Sequence, residues 1–212
     1  MIQMNRLKIT LNKPIYTGFC VLDLSKELMY SFYYDTIKKR YGDRSTLLFT
    51  DTDSLCIYIE TDDLCKDRLE DLEKYDTSNY DRNNPLYSAK NAKVVGKMKD
   101  ECGGKPIAQF VGLRAKMYSL LIPGEADKLT CKGVKKSYIK QHLRHSSFLQ
   151  ILTNRTSNVA EFYNFRSHLH TLHTVRIQKK CLSAFDDKRY ILSDGFRTLA
   201  YGHWEISCEP EA

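Results

Sequence analysis

Apolar residues near the start of the chain recur at helical spacing. Leu24, Leu28, Phe32 and Ile37 follow Asp23 and Ser25, either of which can cap a helix start, and Gly42 offers a stop. The period then shortens to two. Thr46-Leu47-Leu48-Phe49-Thr50 is an apolar run of strand type, and residues 54–60 set Leu55, Ile57 and Ile59 on one side of a second strand. A tight Asp51-Thr52-Asp53 corner separates them. The pattern predicts a helix, then a β-hairpin with carboxylates at its turn.

Residues 60–84 are polar and acidic, as a surface helix and loop would be. Residues 93–99 and 109–122 read as two further strands, with Gly103-Gly104-Lys105-Pro106 turning between them. Pro123-Gly124 marks a boundary, which divides the chain into residues 1–123 and 124–212. Past it, Val134, Tyr138 and Leu143 predict a short basic helix, and residues 174–185 and 190–192 are strand-like. The fold class expected is α+β: an antiparallel sheet flanked by helices, then a small mixed subdomain.

Composition narrows the classes. A chain of 212 residues, 42% hydrophobic and 28% charged, can bury a core and lacks the profile of a disordered protein. No apolar run approaches the ~18 residues of a membrane helix, and residues 1–8 carry no signal-peptide core. A soluble intracellular protein is expected, with no membrane partner. The seven cysteines contain no Cys-x-x-Cys pair, which argues for reduced thiols and against a zinc ribbon.

The net charge of +7 is a mild bias toward anionic partners, and its distribution is more informative. Between Asp51 and Arg82 stand eleven acids against four Lys or Arg; between Lys128 and Phe148 stand six Lys or Arg and no acid. One stretch suits cations and the other phosphates, although a solvated face explains either run alone.

Asp51 and Asp53 at a hairpin turn repel each other unless a hard cation such as Mg²⁺ relieves them. A bare Asp-x-Asp is also a common turn. The flanking residues decide. Leu47-Leu48-Phe49-Thr50-Asp51-Thr52-Asp53-Ser54-Leu55 resembles motif C of the family B DNA polymerases, with Phe49 standing where that family usually has Tyr. Downstream, Leu113-Arg114-Ala115-Lys116-Met117-Tyr118 resembles the family's Lys-x-Tyr motif. Lys132-Gly133-Val134-Lys135-Lys136 and Phe185-Asp186-Asp187-Lys188-Arg189-Tyr190 are similar to the C-terminal part of the protein-primed branch, which includes polymerases of large self-replicating animal transposons.

The resemblance implies an antiparallel palm over residues 1–123 and a thumb over residues 124–212. It implies DNA-directed DNA synthesis from deoxynucleoside triphosphates with two Mg²⁺ ions. Asp53 would be a catalytic metal ligand, and Asp51 would shape the same site. Arg114, Lys116 and Tyr118 would lie along the primer-template duplex, and Lys132, Lys136 and Lys140 would grip its backbone from one helical face. The family's motif A, motif B and exonuclease domain precede motif C and do not occur here. Asp81-Arg82-Asn83-Asn84-Pro85-Leu86-Tyr87-Ser88 reads as a polar loop, not motif A. The chain is therefore expected to be a C-terminal part, inactive alone, with an upstream polymerase half or a terminal priming protein as partner and a nuclear location. The alternative is a DNA-binding remnant that no longer reacts. A glycosyltransferase using Asp-x-Asp is a third reading, against which the basic run argues. His168 and His170 would share a strand side and His173 would not, and no zinc-spaced Cys or acid is nearby, so no metal is expected there.

Overall fold

The computed structural model describes residues 12–185, 189–194 and 197–208. Residues 1–8, and the Asp186-Asp187-Lys188 part of the C-terminal resemblance, lie outside them. The fold is α+β, and the chain divides into two compact units between Ile107 and Ala108. Each is described by itself.

In the first unit a helix starts at Pro14, not at Asp23 or Ser25. Helix α1 (Ile15–Ser31) continues into a π-wound segment (Phe32–Lys38) and then α2 (Lys39–Tyr41). Gly42 ends it in the left-handed region at φ 54°, as the sequence suggested. Lys38 donates to the carbonyls of Gly42 and Ser45, which satisfies acceptors left open at that end. The buried face is not the expected one. Leu24 and Leu28 are exposed, whereas Met29, Tyr33, Ile37 and Tyr41 are buried. Residues four apart drift by roughly 40° in an α-helix of 3.6 residues per turn. The wider π turn removes that drift and keeps the four on one side.

Tyr33, Ile37 and Tyr41 pack on Leu55, Ile57 and Ile59. Those three belong to β2 (Leu55–Ile59), antiparallel to β1 (Ser45–Thr50). Burial of each large apolar side chain here contributes about 1.5–3 kcal/mol. Next, α3 (Leu64–Glu70) is capped by Asp63, which accepts from the amides of Cys65 and Lys66.

Residues 93–99 are mostly not a strand. Lys93 and Gly96 take positive φ, and the Lys93 amide is held by the Asp76 carboxylate at 3.1 Å. Only β4 (Met98–Lys99) remains extended, parallel to β3 (Tyr75–Asp76). At the predicted glycine turn, Gly104 lies against Tyr80: a Cβ there would come within 3.1 Å of the ring. Tyr80 is buried, and its hydroxyl meets Arg68 and Asp100, which ties the loop down.

In the second unit the single strand expected over residues 109–122 is a hairpin. β5 (Gln109–Arg114) and β6 (Met117–Leu121) pair antiparallel, and β7 (Lys128–Cys131) joins β6. Pro123-Gly124 thus falls at a turn inside one sheet rather than between the compact units. α4 (Lys136–His142) and α5 (His145–Asn154) follow. Val111, Leu113, Met117 and Cys131 pack with Val134, Ile139, Leu143 and Phe148, the last fully buried. β8 (Ser157–His168) and β9 (Thr171–Ser183) form a long antiparallel ribbon whose base, Ala160, Cys181 and Leu182, joins that core. β10 (Tyr190–Ile191) and β11 (Thr198–Leu199) pair after it. Among the described residues the strands make separate small sheets. The single sheet of the sequence expectation does not form among them: β3 and β4, which lie between β2 and β5 in the chain, pair only with each other.

Candidate metal and nucleic-acid sites

The first site is the β1–β2 tip. Asp51 and Ser54 exchange amide-to-carbonyl bonds at 3.0 and 3.2 Å, closing a two-residue turn of Thr52 and Asp53. Asp53 also donates its amide to the Asp51 carbonyl at 2.7 Å. Thr52 stands at φ 58°, a left-handed conformation that a β-branched residue rarely takes, and such outliers concentrate at functional turns. Asp53 is exposed and Asp51 half-buried. A one-residue bulge between Leu47 and Phe49 re-aims β1 ahead of the turn. The hairpin, its apolar side and its acidic tip follow the sequence expectation.

A pair of carboxylates suits Mg²⁺, which is usually bound through one or two carboxylates with waters and substrate phosphates completing its shell. Among the described residues no three His, Cys, Asp or Glu side chains converge as a metal cage. Part of the acidic run serves another purpose. Arg40 meets Asp67 at 2.8 Å, Glu70 at 2.7 Å and Asp71 at 3.4 Å, while Tyr41 and Thr61 donate to Asp67. The Thr61 hydrogen bond leads in holding the Asp67 carboxyl below its usual range. These acids fasten α3 to the long helix; they are not an open cation surface.

The second site is one end of the β5–β6–β7 sheet. Lys116 is not on a strand: it occupies the β5–β6 turn at φ 58°. Arg114 pairs with Met117 across that turn, after a bulge between Gly112 and Arg114. Tyr118 lies opposite Gly112 and Thr130, its ring 6.3 Å from Phe110. A side chain at Gly112 would come within 2.7 Å of the Phe110 ring, so glycine is what lets Phe110 lie there.

Lys132 is off the helix, in the turn between β7 and α4, and its amide donates to the Lys116 carbonyl at 3.0 Å. The predicted single helical face therefore splits: Lys136 and Lys140 share a side of α4, while Lys132 belongs with Lys116. Lys179 joins this end, since a Cβ on Gly133 would come within 2.8 Å of its ammonium. The Cys131 thiol is pushed up, first by its hydrogen bond with Cys181 and then by burial, with Arg114 and Lys179 acting the other way. Nothing in the sequence signals Lys179, which is far along the chain from Lys116; only the register of β9 brings it in. Among the described residues Cys20, Cys56, Cys65, Cys102, Cys131 and Cys181 are not joined in disulfides.

The histidines differ from their sequence reading. His170 sits in the ribbon turn, whereas the register sets His168 and His173 on one face. Among the described residues no helix is long and apolar enough to cross a membrane.

Compared with protein-family models, with curated proteins and with solved structures, the chain matches none.

Proposed function

We propose that this chain supplies the motif C carboxylates and the DNA grip of a DNA-directed DNA polymerase of family B, protein-primed branch. The observation that carries the reading is the β1–β2 tip, where the motif C residues form a strained two-residue turn with Asp53 exposed beside Asp51. In this reading the first unit belongs to the palm and the end of the second to the thumb. Asp53, with Asp51, would hold Mg²⁺. The ion supplies charge neutralisation at the attacking and leaving oxygens of nucleotidyl transfer. Arg114, Lys116 and Lys132 would contact phosphates of the primer-template duplex, and Tyr118 would position the strand. Such contacts are independent of base sequence, as template copying requires.

Helix α1 supports membership in a larger assembly. Ile15, Tyr16, Phe19, Val21, Leu22 and Leu24 are all exposed, and apolar surface of this kind marks a protein interface. An upstream polymerase half carrying motifs A and B is the partner this reading calls for, or a terminal priming protein. The test is primer extension with Mg²⁺ or Mn²⁺ and four deoxynucleotides. The expected result is no extension by the chain alone, extension with the upstream half, and loss again on Asp53→Ala. Extension that survives Asp53→Ala overturns the reading. The second reading is a DNA-binding remnant. It predicts duplex binding and no extension with any upstream half.

A further inference from the structure

We propose that the outer face of the β8–β9 ribbon is a binding surface for single-stranded DNA, with Tyr163 and Phe165 as the rings on which unpaired bases stack. The register sets Tyr163 opposite Arg176 and Phe165 opposite Thr174, and opposed residues share a face. The other face is occupied at its base: Phe162 packs toward Tyr138 of α4, with ring centroids 6.4 Å apart. Among the described residues the outer face is open. Tyr163 is 60% and Phe165 75% exposed, although rings of this size are normally buried.

Charge points to the occupant. On this face the register sets two cations, Arg176 and Lys180, against the single acid Glu161, while Arg166 and Lys179 lie on the opposite face. That acid is neutralised by Arg176 at 2.6 Å and bonded by Gln178 at 3.1 Å, which leaves no net negative group on the face. Lys135 reaches in from outside the ribbon to the Tyr163 main-chain carbonyl at 3.1 Å, adding a cation at that strand. Two rings two residues apart on a strand stand roughly 6.6–6.8 Å apart along it, and aromatic side chains on a basic groove are how sequence-tolerant single-strand binders hold successive bases. A lipid surface would want a continuous apolar face; here Ser167, Thr174 and Gln178 interrupt it. A duplex offers no exposed base faces to such rings.

This surface is independent of the polymerase reading, and the full chain tests it directly. Fluorescein-labelled oligothymidylate is titrated and followed by anisotropy. The expected result is binding that weakens about 5- to 150-fold for each of Tyr163→Ala and Phe165→Ala, with duplex affinity through Lys116 and Lys132 unchanged. As a second readout, Phe165→Trp in a Trp204→Phe background carries the only indole, since the chain has one Trp; its emission should be quenched by oligothymidylate. Unchanged affinity in the double alanine variant overturns the proposal. So does an unquenched indole, or capture by phosphatidylserine vesicles without oligothymidylate binding, or sedimentation showing that the two alanines abolish a dimer instead.

Discussion

Lys132 donates its amide to the carbonyl of Lys116 across 3.0 Å, which fixes the Lys-x-Tyr turn to the turn leading into α4. Because the link is between main chains, it survives replacement of either side chain. Lys116→Ala with Lys132→Ala should leave the fold intact and flatten the dependence of log duplex affinity on log salt. The slope should fall by up to about two units, since each phosphate that a lysine neutralises adds roughly one. Lys136→Ala with Lys140→Ala probes α4 separately. A salt titration of duplex binding measures both, and an unchanged slope in both pairs would remove this end of the sheet from the DNA interface.

Asp53 is exposed at the hairpin tip, so Asp53→Asn should change stability by less than about 0.5 kcal/mol while weakening Mn²⁺ binding. Proton relaxation enhancement by Mn²⁺ reports the affinity, and thermal melting reports the fold. Equal Mn²⁺ affinity in wild type and Asp53→Asn would place the cation elsewhere.

Acid should unfold the first unit through Asp76. Hydrogen bonds, led by that of Ser78 and joined by the Lys93 amide, hold its carboxyl at about 2, below the ordinary 3.8. A depressed carboxylate stabilises the fold above its unfolded value, and that contribution fades as pH falls from about 4 through about 2. Asp67 and Asp100 are shifted the same way. Melting by circular dichroism between these limits should show the loss, with Asp76→Asn less stable at neutral pH and flatter across the acid range.

The ribbon turn should be improvable. Leu169 and His170 both take positive φ, at 48° and 62°, where Asn-Gly is the favoured pair. Left-handed backbone costs a side-chain-bearing residue roughly 1–2 kcal/mol, so Leu169→Asn with His170→Gly should stabilise the ribbon. Slower amide exchange along β8 and β9 would record it.

Much of the first hairpin is legible in the sequence because its signals agree: Leu55, Ile57 and Ile59 alternate, and an acidic corner interrupts two apolar runs. The helix before it is legible in type and stop but not in face, since a π-wound turn changes which residues align and no sequence period announces it. The β5–β6 turn is invisible for a different reason. Ala115 and Lys116 are neither Gly, Pro, Asn nor Asp, so the sequence reads through them as one strand. β8 escapes a sequence reading because both of its faces meet solvent near the tip, which removes the alternation a half-buried strand displays. The basic end of the sheet is half legible: Lys116 and Lys132 stand out by motif and charge, but their hydrogen bond and the arrival of Lys179 depend on long-range register.

The π-wound segment also carries a spare residue. From Met29 to Tyr41 the helix spends twelve steps on three turns, whereas about eleven α-helical steps would cover the same rotation. Deleting the exposed Tyr34 should let the segment relax to ordinary winding while Tyr33, Ile37 and Tyr41 still pack on β2. The length of this helix is therefore adjustable by one residue at that place without re-aiming the hairpin that ends in Asp51 and Asp53.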